Sequence, residues 1–283
     1  MTKGVVRATL AARAGALFAT HNIMDGLRLP GLLRHYAELA TQHGHVAALC
    51  IQENKPGHAE EIAATLGGRY RAHHDLGAPR LATVYDADAL TLHCSEVIDL
   101  PKIDVIPTWQ RLYIASPEPE QKHASLLRFE RTDNKRPLLL ANFHLDAAGT
   151  NHHRGRQLHT ICCALRRHWG PATAVIACGD TNAFSFDRRR ASAALRRMLA
   201  PLEHELGAMD VGADQDRNTH YFWRANEPKL GQRIAVFFGQ FGVDFPCRYD
   251  VLCTNLEVLE HGQVETLDSD HDLVYARVAW KCR

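Results

Sequence analysis

Carboxylate, carboxamide and imidazole side chains recur in this chain where strand-like runs end. In VIACGDTNAF, residues 175–184, four apolar residues are followed by Asp180 and Asn182. Four apolar residues in a row suit a strand covered on both faces, and Gly179-Asp180 is a typical strand terminator. The two polar side chains are therefore expected on a loop that a rigid strand positions, where chemistry is common. An Asx-type turn that only bonds local backbone is the structural alternative.

Six polar groups are placed in this way. They are Thr20-His21-Asn22, Gln52-Glu53, Asn142 to Asp146, Gly179 to Asn182, Arg248-Tyr249-Asp250 and Ser269-Asp270-His271. Each group alone also fits a turn, a helix cap or a hydrogen-bonded buried histidine. Together they supply what hydrolysis of a phosphate ester needs: oxygen ligands for a divalent cation, imidazoles for phosphoryl oxygens, and an acid that orients or activates water.

The six groups resemble, in order and type, the motifs of the endonuclease/exonuclease/phosphatase superfamily, the DNase I-like metal-dependent phosphoesterases. The resemblance runs from about Leu17 to Trp280. Its elements are T-x-N at Asn22, QE at Glu53, N-x-H-L-D-A at 142–147, GDxN at 179–182, R-x-D at Asp250 and SDH at 269–271. It implies an α/β (α+β) fold, a two-layered β-sandwich of mixed sheets flanked by helices, with the site in a cleft at one edge.

The resemblance also implies a metal site. Glu53 is the expected principal ligand, with Asn22 and Asp270 nearby. The implied cofactor is Mg²⁺ (or Mn²⁺). Independently of the family, Mg²⁺ keeps several waters and accepts one or two carboxylates, which fits an acidic pair of this kind.

The same resemblance implies roles for five further residues. Asp180 would orient or deprotonate the attacking water, and Asn182 would position that water or the phosphate. His271 would bond a phosphoryl oxygen while Asp250 holds its ring, and His144 would be a second phosphate contact. Either Asp180 or His271 could be the formal base. We favour Asp180 for the water and His271 for electrostatic stabilisation.

Arginines near these motifs are candidate substrate contacts. The run Phe186-Asp187-Arg188-Arg189-Arg190 concentrates positive charge directly after GDTN. Arg188 and Arg189 could grip phosphates through their forked guanidinium groups, or could form a solvated helix face. Arg154 is a further candidate, for which packing or capping is the alternative. Aromatic residues that could stack on bases or form a small satellite core are Tyr221, Phe222, Trp223, Phe237, Phe238 and Phe241.

The elements that position these groups can be placed by their patterns. Strands are predicted at 16–20, 46–52, 81–85, 90–97, 126–130, 138–144, 174–178, 249–254 and 273–280. Helices are predicted at 31–43, 58–66, 154–169 and 190–202, and a hairpin turn at Thr132 to Lys135. The segment from Val211 to Pro246 is predicted to be a long loop. We find no linker, and predict a single domain over 1–283 with its core at about 16–280.

Composition narrows the class of protein. The chain has 283 residues, 46% of them hydrophobic, and a formal net charge of +1, so any attraction to phosphate must be local. No stretch approaches the length of a membrane-spanning helix, so we expect no membrane insertion. The 8 cysteines form no C-x-x-C pair, which favours buried thiols and a cytoplasmic location.

The predicted function is a metal-dependent phosphodiesterase or nuclease acting on a phosphate ester, with nucleic acid as the leading candidate substrate and no protein partner inferred. A phosphatase of a small phosphorylated metabolite or lipid head group is one alternative. A non-catalytic binding protein on the same fold is another. A zinc hydrolase using His144, Asp146, His152 and His153 is the third, disfavoured because the oxygen-rich groups suit a harder cation.

Overall fold

Two six-stranded sheets form the centre of the molecule. The computed structural model describes residues 15–106, 108, 110–112, 118–185, 187–215, 217–224, 233, 237 and 247–282. The strands are β1 Ala16–Asn22, β2 Val46–Gln52, β3 Tyr70–His73, β4 Leu81–Asp86, β5 Leu90–Asp99, β6 His123–Arg131, β7 Pro137–His144, β8 Ala174–Asp180, β9 Met209–Asp210, β10 Asp250–Thr254, β11 Leu256–Val264 and β12 Leu273–Cys282.

Helices cover the outer faces of the sheets. They are α1 Leu29–His43, α2 His58–Leu66, α3 Asn151–His168 and α4 Arg188–Leu206, with 3-10 turns at Met24–Gly26, Gln110–Leu112 and Phe222–Arg224. One sheet has the order β11-β12-β1-β2-β4-β3 and the other β5-β6-β7-β8-β10-β9. Each contains one parallel pair, β1 with β2 and β7 with β8, among antiparallel neighbours. The predicted two-layered sandwich of mixed sheets is therefore confirmed.

Strand β8 shows why the central strands are apolar throughout. Ile176 and Cys178 point into the core between the two sheets. Val175 and Ala177 point to the opposite side, into the core under α3 and α4. A third core lies between the other sheet and α1 and α2. Because both faces of β8 are covered, an alternating polar pattern would leave polar groups buried without partners.

The sheet topology brings the polar strand ends together. The carboxyl ends of β1, β2, β7 and β8 lie at one edge of the sandwich, where ligands of α/β sheets commonly bind. The antiparallel strand β10 begins at that edge, so that Asp250 is in register with Asp180 and, through it, with His144. The strand β12 begins beside the carboxyl end of β1. Antiparallel strands thus contribute their first residues where parallel strands contribute their last.

Most predicted elements are found, with differences at their ends. Strand β2 and helix α2 have the predicted bounds, and the predicted turn joins β6 to β7. Strands β3, β9 and β11 were not predicted. Strand β3 has four residues, β9 has two, and β11 is an edge strand that is mostly partly exposed. Such strands lack the apolar run or clean alternation that identifies a strand. The predicted loop from Val211 to Pro246 lies in part outside the described residues.

Two simpler expectations concern thiols and membrane spans. Of the seven cysteines whose side chains are described, all are free, and five are buried. Cys94 and Cys163 are exposed, so the expectation of buried thiols holds for the majority only. No helix in the described ranges is long and apolar enough to cross a membrane.

Candidate active site

Asp180, at the end of β8, is the centre of a cluster of buried polar side chains. Only 1% of its surface is exposed. Its Oδ2 accepts a hydrogen bond from Asn22 Nδ2 at 3.1 Å. The Nε2 atoms of His144 and His271 each lie 3.6 Å from the same oxygen. Four of the predicted site residues, far apart in the chain, therefore meet at one carboxylate oxygen.

The GDxN loop holds the second oxygen of Asp180 through local backbone. The Asn182 N–H donates to Asp180 Oδ1 at 2.8 Å, and the Asn182 amide donates to the Leu145 carbonyl at 3.0 Å. The proposed Asx turn is thus present, but it uses only Oδ1. Gly179 is required, because a Cβ there would lie 1.9 Å from the Phe143 carbonyl oxygen. The turn and the chemistry coexist.

His271 is paired with a buried carboxylate. Its Nδ1 lies 2.8 Å from Asp250 Oδ2, and Asp250 is fully buried. Burial alone would lower the His271 pKa, but attraction by Asp250 and Asp180 outweighs burial and raises that pKa well above its ordinary value. His271 is therefore an imidazolium at neutral pH. Burial raises the Asp180 pKa, but the two neighbouring histidines outweigh burial, and the net shift is downward.

His144 has the opposite protonation state. Burial lowers its pKa to about 3, and the attraction of Asp180 is too weak to compensate. His144 is therefore neutral, with its Nε2 3.6 Å from Asp180 Oδ2 and 4.0 Å from Glu53 Oε1. A neutral imidazole at this position can donate one hydrogen bond to an anionic oxygen.

Glu53 lies at the open side of the cluster. Its side chain is 24% exposed, and Oε1 accepts from Asn22 Nδ2 at 3.4 Å. Oε2 is 3.5 Å from Arg80. Burial, and then repulsion by Asp270, raises the Glu53 pKa. The backbone of Glu53 has φ 56°, which is costly for a residue with a Cβ and recurs at functional sites.

A histidine that the sequence patterns did not single out completes the site. His220 Nε2 lies 3.6 Å from Asp270 Oδ2, and its ring stacks on Tyr249 with centroids 4.8 Å apart. The ring also packs against His271 at 4.6 Å. Burial raises the Asp270 pKa, but the bond to His220 and the charge of His271 bring it down to about 2. His220 lies in an irregular loop rather than at a strand end, and only its neighbours Thr219 and Tyr221, also polar, hint at it.

Hydrogen bonds of Ser269 and His21 hold the loop that carries Asp270 and His271. Ser269 Oγ donates to the Asn22 carbonyl at 2.7 Å and accepts from the His271 N–H at 3.1 Å. His21 Nε2 lies 3.2 Å from the His271 carbonyl, which can only accept, so Nε2 carries the proton. His21 Nδ1 then accepts from the Tyr36 hydroxyl at 2.8 Å. Burial lowers the His21 pKa to about 3, which keeps this arrangement neutral.

The oxygen-rich side chains fit a divalent cation. The carboxylates at the site, Glu53, Asp180, Asp250 and Asp270, outnumber the cationic groups, His271 and Arg80, by two to one. The repulsion between Glu53 and Asp270 is relieved if a cation lies between them. Asn22 Nδ2 bridges Glu53 and Asp180, and Asp270 is near enough to Glu53 to raise its pKa, so the three predicted metal ligands belong to one cluster. Hard oxygen donors of this kind suit Mg²⁺ or Mn²⁺.

The predicted zinc set does not form. His153 bonds Asp146 at 2.8 Å, whereas His144 faces Asp180. Two groups of three residues in the described chain have metal-binding spacing, and both contain His271: one with Asp180 and Asp250, the other with His220 and Asp270. No histidine of the proposed zinc set belongs to either.

The predicted arginines lie in different environments. Arg154 is buried, and its guanidinium donates to the carbonyls of Asp146 and Ala147 at 2.7 Å each. These contacts favour the capping alternative over substrate binding, because the donors are already used by the loop. Arg188 and Arg189 are exposed on the first turn of α4, which Asp187 caps through the Arg190 N–H at 2.8 Å.

The aromatic residues at 221–223 form a local cluster with Arg224 and His220. Arg224 stacks over Tyr221 at 3.9 Å and over Trp223 at 5.0 Å, and it bonds Asp272 at 2.7 Å. Phe222 packs against His220 at 4.5 Å. These contacts favour the satellite-core alternative. Phe186, Phe238 and Phe241 lie outside the described residues.

The two-sheet arrangement recurs in solved structures. An endonuclease/exonuclease/phosphatase from Bacteroides vulgatus superposes with a TM-score of 0.67 at 14% identity, covering 96% of this chain and 100% of that one. The chain has the endonuclease/exonuclease/phosphatase fold. TDP2 from D. rerio, complexed with single-strand DNA product, superposes at 0.63 with 13% identity, covering 93% and 98%. The mannosyl-6-phosphatase Bt3783 of Bacteroides thetaiotaomicron superposes at 0.62 with 13% identity, covering 92% and 98%.

Sequence comparison gives no closer assignment. No protein-family model matches the chain, and no curated protein matches it. At 13 to 14% identity the structural likeness shows the endonuclease/exonuclease/phosphatase fold and not an activity. The function must be argued from the side chains described above.

Proposed function

We propose that this protein is a divalent-metal-dependent hydrolase of phosphate esters, a phosphodiesterase or nuclease that uses Mg²⁺ (or Mn²⁺). The observation that carries the proposal is the meeting of Asn22, His144 and His271 at one oxygen of Asp180. An ordinary buried network would pair each of these groups separately. Here two imidazoles and an amide surround one carboxylate oxygen, beside a partly exposed glutamate.

Glu53, Asn22 and Asp270 would hold the cation. When bound, the cation would supply charge stabilisation for phosphoryl and leaving oxygens. The residues themselves would fix its position: Glu53 is set by its unusual backbone conformation, and Asp270 by His220. Asn22 would link this end of the site to Asp180.

Asp180 and His271 would have different roles in catalysis, because they carry different charges. Asp180 is ionised and can accept a hydrogen bond from a water, which orients it for in-line attack. Its lowered pKa makes it a weak base, so orientation is its larger contribution. The raised pKa of His271 favours its protonated form, so it would stabilise the developing negative charge on phosphoryl oxygen rather than accept a proton. His144 would add a neutral donor, and Asn182 would position water or phosphate.

A phosphatase of a small phosphorylated metabolite is the second candidate. The net charge of +1 gives no overall field for a nucleic-acid strand. A mannosyl-6-phosphatase and a DNA-bound protein both have this fold, so the fold does not distinguish the two candidate functions. We retain the proposals of a single domain and of a cytoplasmic location.

The experiment is a substrate panel: single- and double-stranded DNA, RNA, a chromogenic phosphodiester, a phosphomonoester and inositol phosphates. Each is assayed with Mg²⁺, Mn²⁺ or EDTA, on the native protein and on Glu53→Gln. Glu130→Gln, a partly exposed carboxylate on β6, is the matched control. The proposal predicts diester hydrolysis that EDTA abolishes. Cleavage of monoesters alone would favour the phosphatase, and activity in EDTA would reject the metal mechanism.

A further inference from the structure

An arginine-lined pocket lies beside the candidate active site. Its walls include Arg188 and Arg196 of α4, together with Arg217 and Arg248, which lie in irregular chain between β9 and β10. Its cavity volume, as the space open to the centres of water-sized groups, is about 30 Å³. That is room for about two water-sized groups, so it fits phosphoryl oxygens and is too small for a nucleobase.

The arginines of this pocket differ in how far they are neutralised. Arg248 forms two hydrogen bonds to Asp210, at 2.7 and 2.6 Å, so its charge is compensated. Arg188 lies 3.5 Å from the Asn218 side-chain oxygen. Arg196 and Arg217 have no carboxylate partner among the residues that the structure describes. The pocket therefore presents positive charge that the described chain does not neutralise.

Both walls of the pocket continue into the site. Ala183, on one wall, directly follows Asn182 of the GDxN loop. Asn218, on the other, lies two residues before His220, which contacts Asp270. Asn218 is itself fixed, because its Oδ1 accepts from the Cys247 N–H at 3.2 Å. The pocket therefore adjoins the site through the GDxN loop and through the segment that carries His220.

We propose that this pocket binds a second phosphate of the substrate while the scissile phosphate lies at Asp180 and His271. This inference rests on the proposed function and narrows its substrate class to phosphoesters that carry at least one further phosphate. Guanidinium groups suit that ligand because their N–H groups form forked hydrogen bonds to phosphate oxygens. An oligonucleotide and a small bisphosphate share this chemistry.

The test compares substrates that differ in one phosphate. A dinucleotide is assayed with and without a terminal phosphate, and a sugar bisphosphate is compared with the corresponding monophosphate. The enzymes are native protein, Arg196→Gln, Arg217→Gln and the double variant. Arg197→Gln is the matched control, since Arg197 is the next residue of α4, is exposed, and does not line the pocket.

We expect each pocket variant to lose about 10-fold in kcat/KM for the substrate with the extra phosphate, the effect of removing one charged hydrogen-bonding partner. For the partner substrate without that phosphate, and for Arg197→Gln on both, the change should stay under about 2-fold. The pair that shows the difference, dinucleotide or sugar phosphate, identifies the source of the ligand. Equal losses on both members of each pair, or no loss, would overturn the inference.

A binding measurement separates this inference from the proposed function. Thermal-shift titration with inorganic pyrophosphate is applied to the same variants, without turnover. The double variant should bind about 10-fold more weakly than Arg197→Gln. If no phosphoester is cleaved but this difference appears, the hydrolase proposal fails and the subsite stands. If both variants bind alike, the subsite is rejected whatever the activity.

Discussion

The two sides of Asp180 are alike in geometry but differ in charge, since one histidine favours the protonated form and the other is neutral. His144 and His271 are both buried, and each brings Nε2 to 3.6 Å from the same oxygen. Yet the pKa of His144 falls to about 3, whereas that of His271 rises well above its ordinary value. The difference is Asp250, which lies 2.8 Å from His271 Nδ1 and has no counterpart at His144. His144 also has positive neighbours, Lys122, His271 and Arg80, whose charges lower its pKa further.

This contrast assigns different work to the two histidines. A protonated imidazole stabilises negative charge, and a neutral imidazole orients a hydrogen bond. The site therefore contains one cationic and one neutral contact for phosphoryl oxygens. Removing the group that the two sides share should cost most, and removing the neutral contact should cost least.

The largest effect is expected from Asp180→Asn. Both histidines lose the carboxylate they face, and the water loses its acceptor, so kcat should fall by about 1,000-fold. Steady-state kinetics on the best substrate of the panel, with circular dichroism to verify folding, checks this. A loss of less than 10-fold in a folded variant would show that Asp180 is not at the reacting centre.

Asp250→Asn should make the charge state of His271 similar to that of His144. Without Asp250, burial dominates at His271 and its pKa falls, as at His144. Activity that needs the imidazolium is lost as pH rises through that pKa, so the alkaline limb of the pH profile should move to lower pH. We expect kcat at neutral pH to drop about 100-fold. NMR titration of the His271 ring measures the shift directly. An unchanged alkaline limb would mean that His271 is not the titrating group.

His144→Ala should produce a smaller loss with no change in pH profile. The neutral donor is removed, which costs about 10-fold in kcat/KM. His144→Gln places an amide N–H near the former Nε2 and should recover most of the activity. A pH profile altered by either variant would contradict a neutral His144.

The polar strand ends were predictable because a strand buried on both faces shows an apolar run, and the polar residues that end the run stand out in the sequence. Strand β8 and its Asp180 are the clearest example. The pairing of Asp250 with His271 followed only from the family resemblance, since no sequence spacing specifies a contact between strands β10 and β12. His220 was missed, because it reaches the site through a loop whose path depends on tertiary contacts such as Arg224 with Asp272.

A further effect concerns stability rather than activity and tests the hydrogen bonds that hold the His271 loop. His21 has an ordinary pKa of 6.5 when unfolded and about 3 when folded, so protonation favours the unfolded state. Its contribution is present above pH 6.5 and is lost as pH falls toward 3. Between pH 7 and pH 5 this amounts to about 2 kcal/mol. Urea unfolding at both pH values measures the free energy of unfolding. Between pH 7 and pH 5, that free energy should fall less in His21→Gln than in the native protein. Equal losses in both proteins would contradict a neutral, buried His21.

The central claim is that Glu53, Asn22 and Asp270 form one cation site beside Asp180, and calorimetric titration with Mn²⁺ tests it most directly. The native protein should bind Mn²⁺ with a site that Glu53→Gln and Asp270→Asn each weaken by at least 10-fold. Glu130→Gln should bind as the native protein does. Equal Mn²⁺ affinity in all four proteins, or no binding in any, would contradict the account.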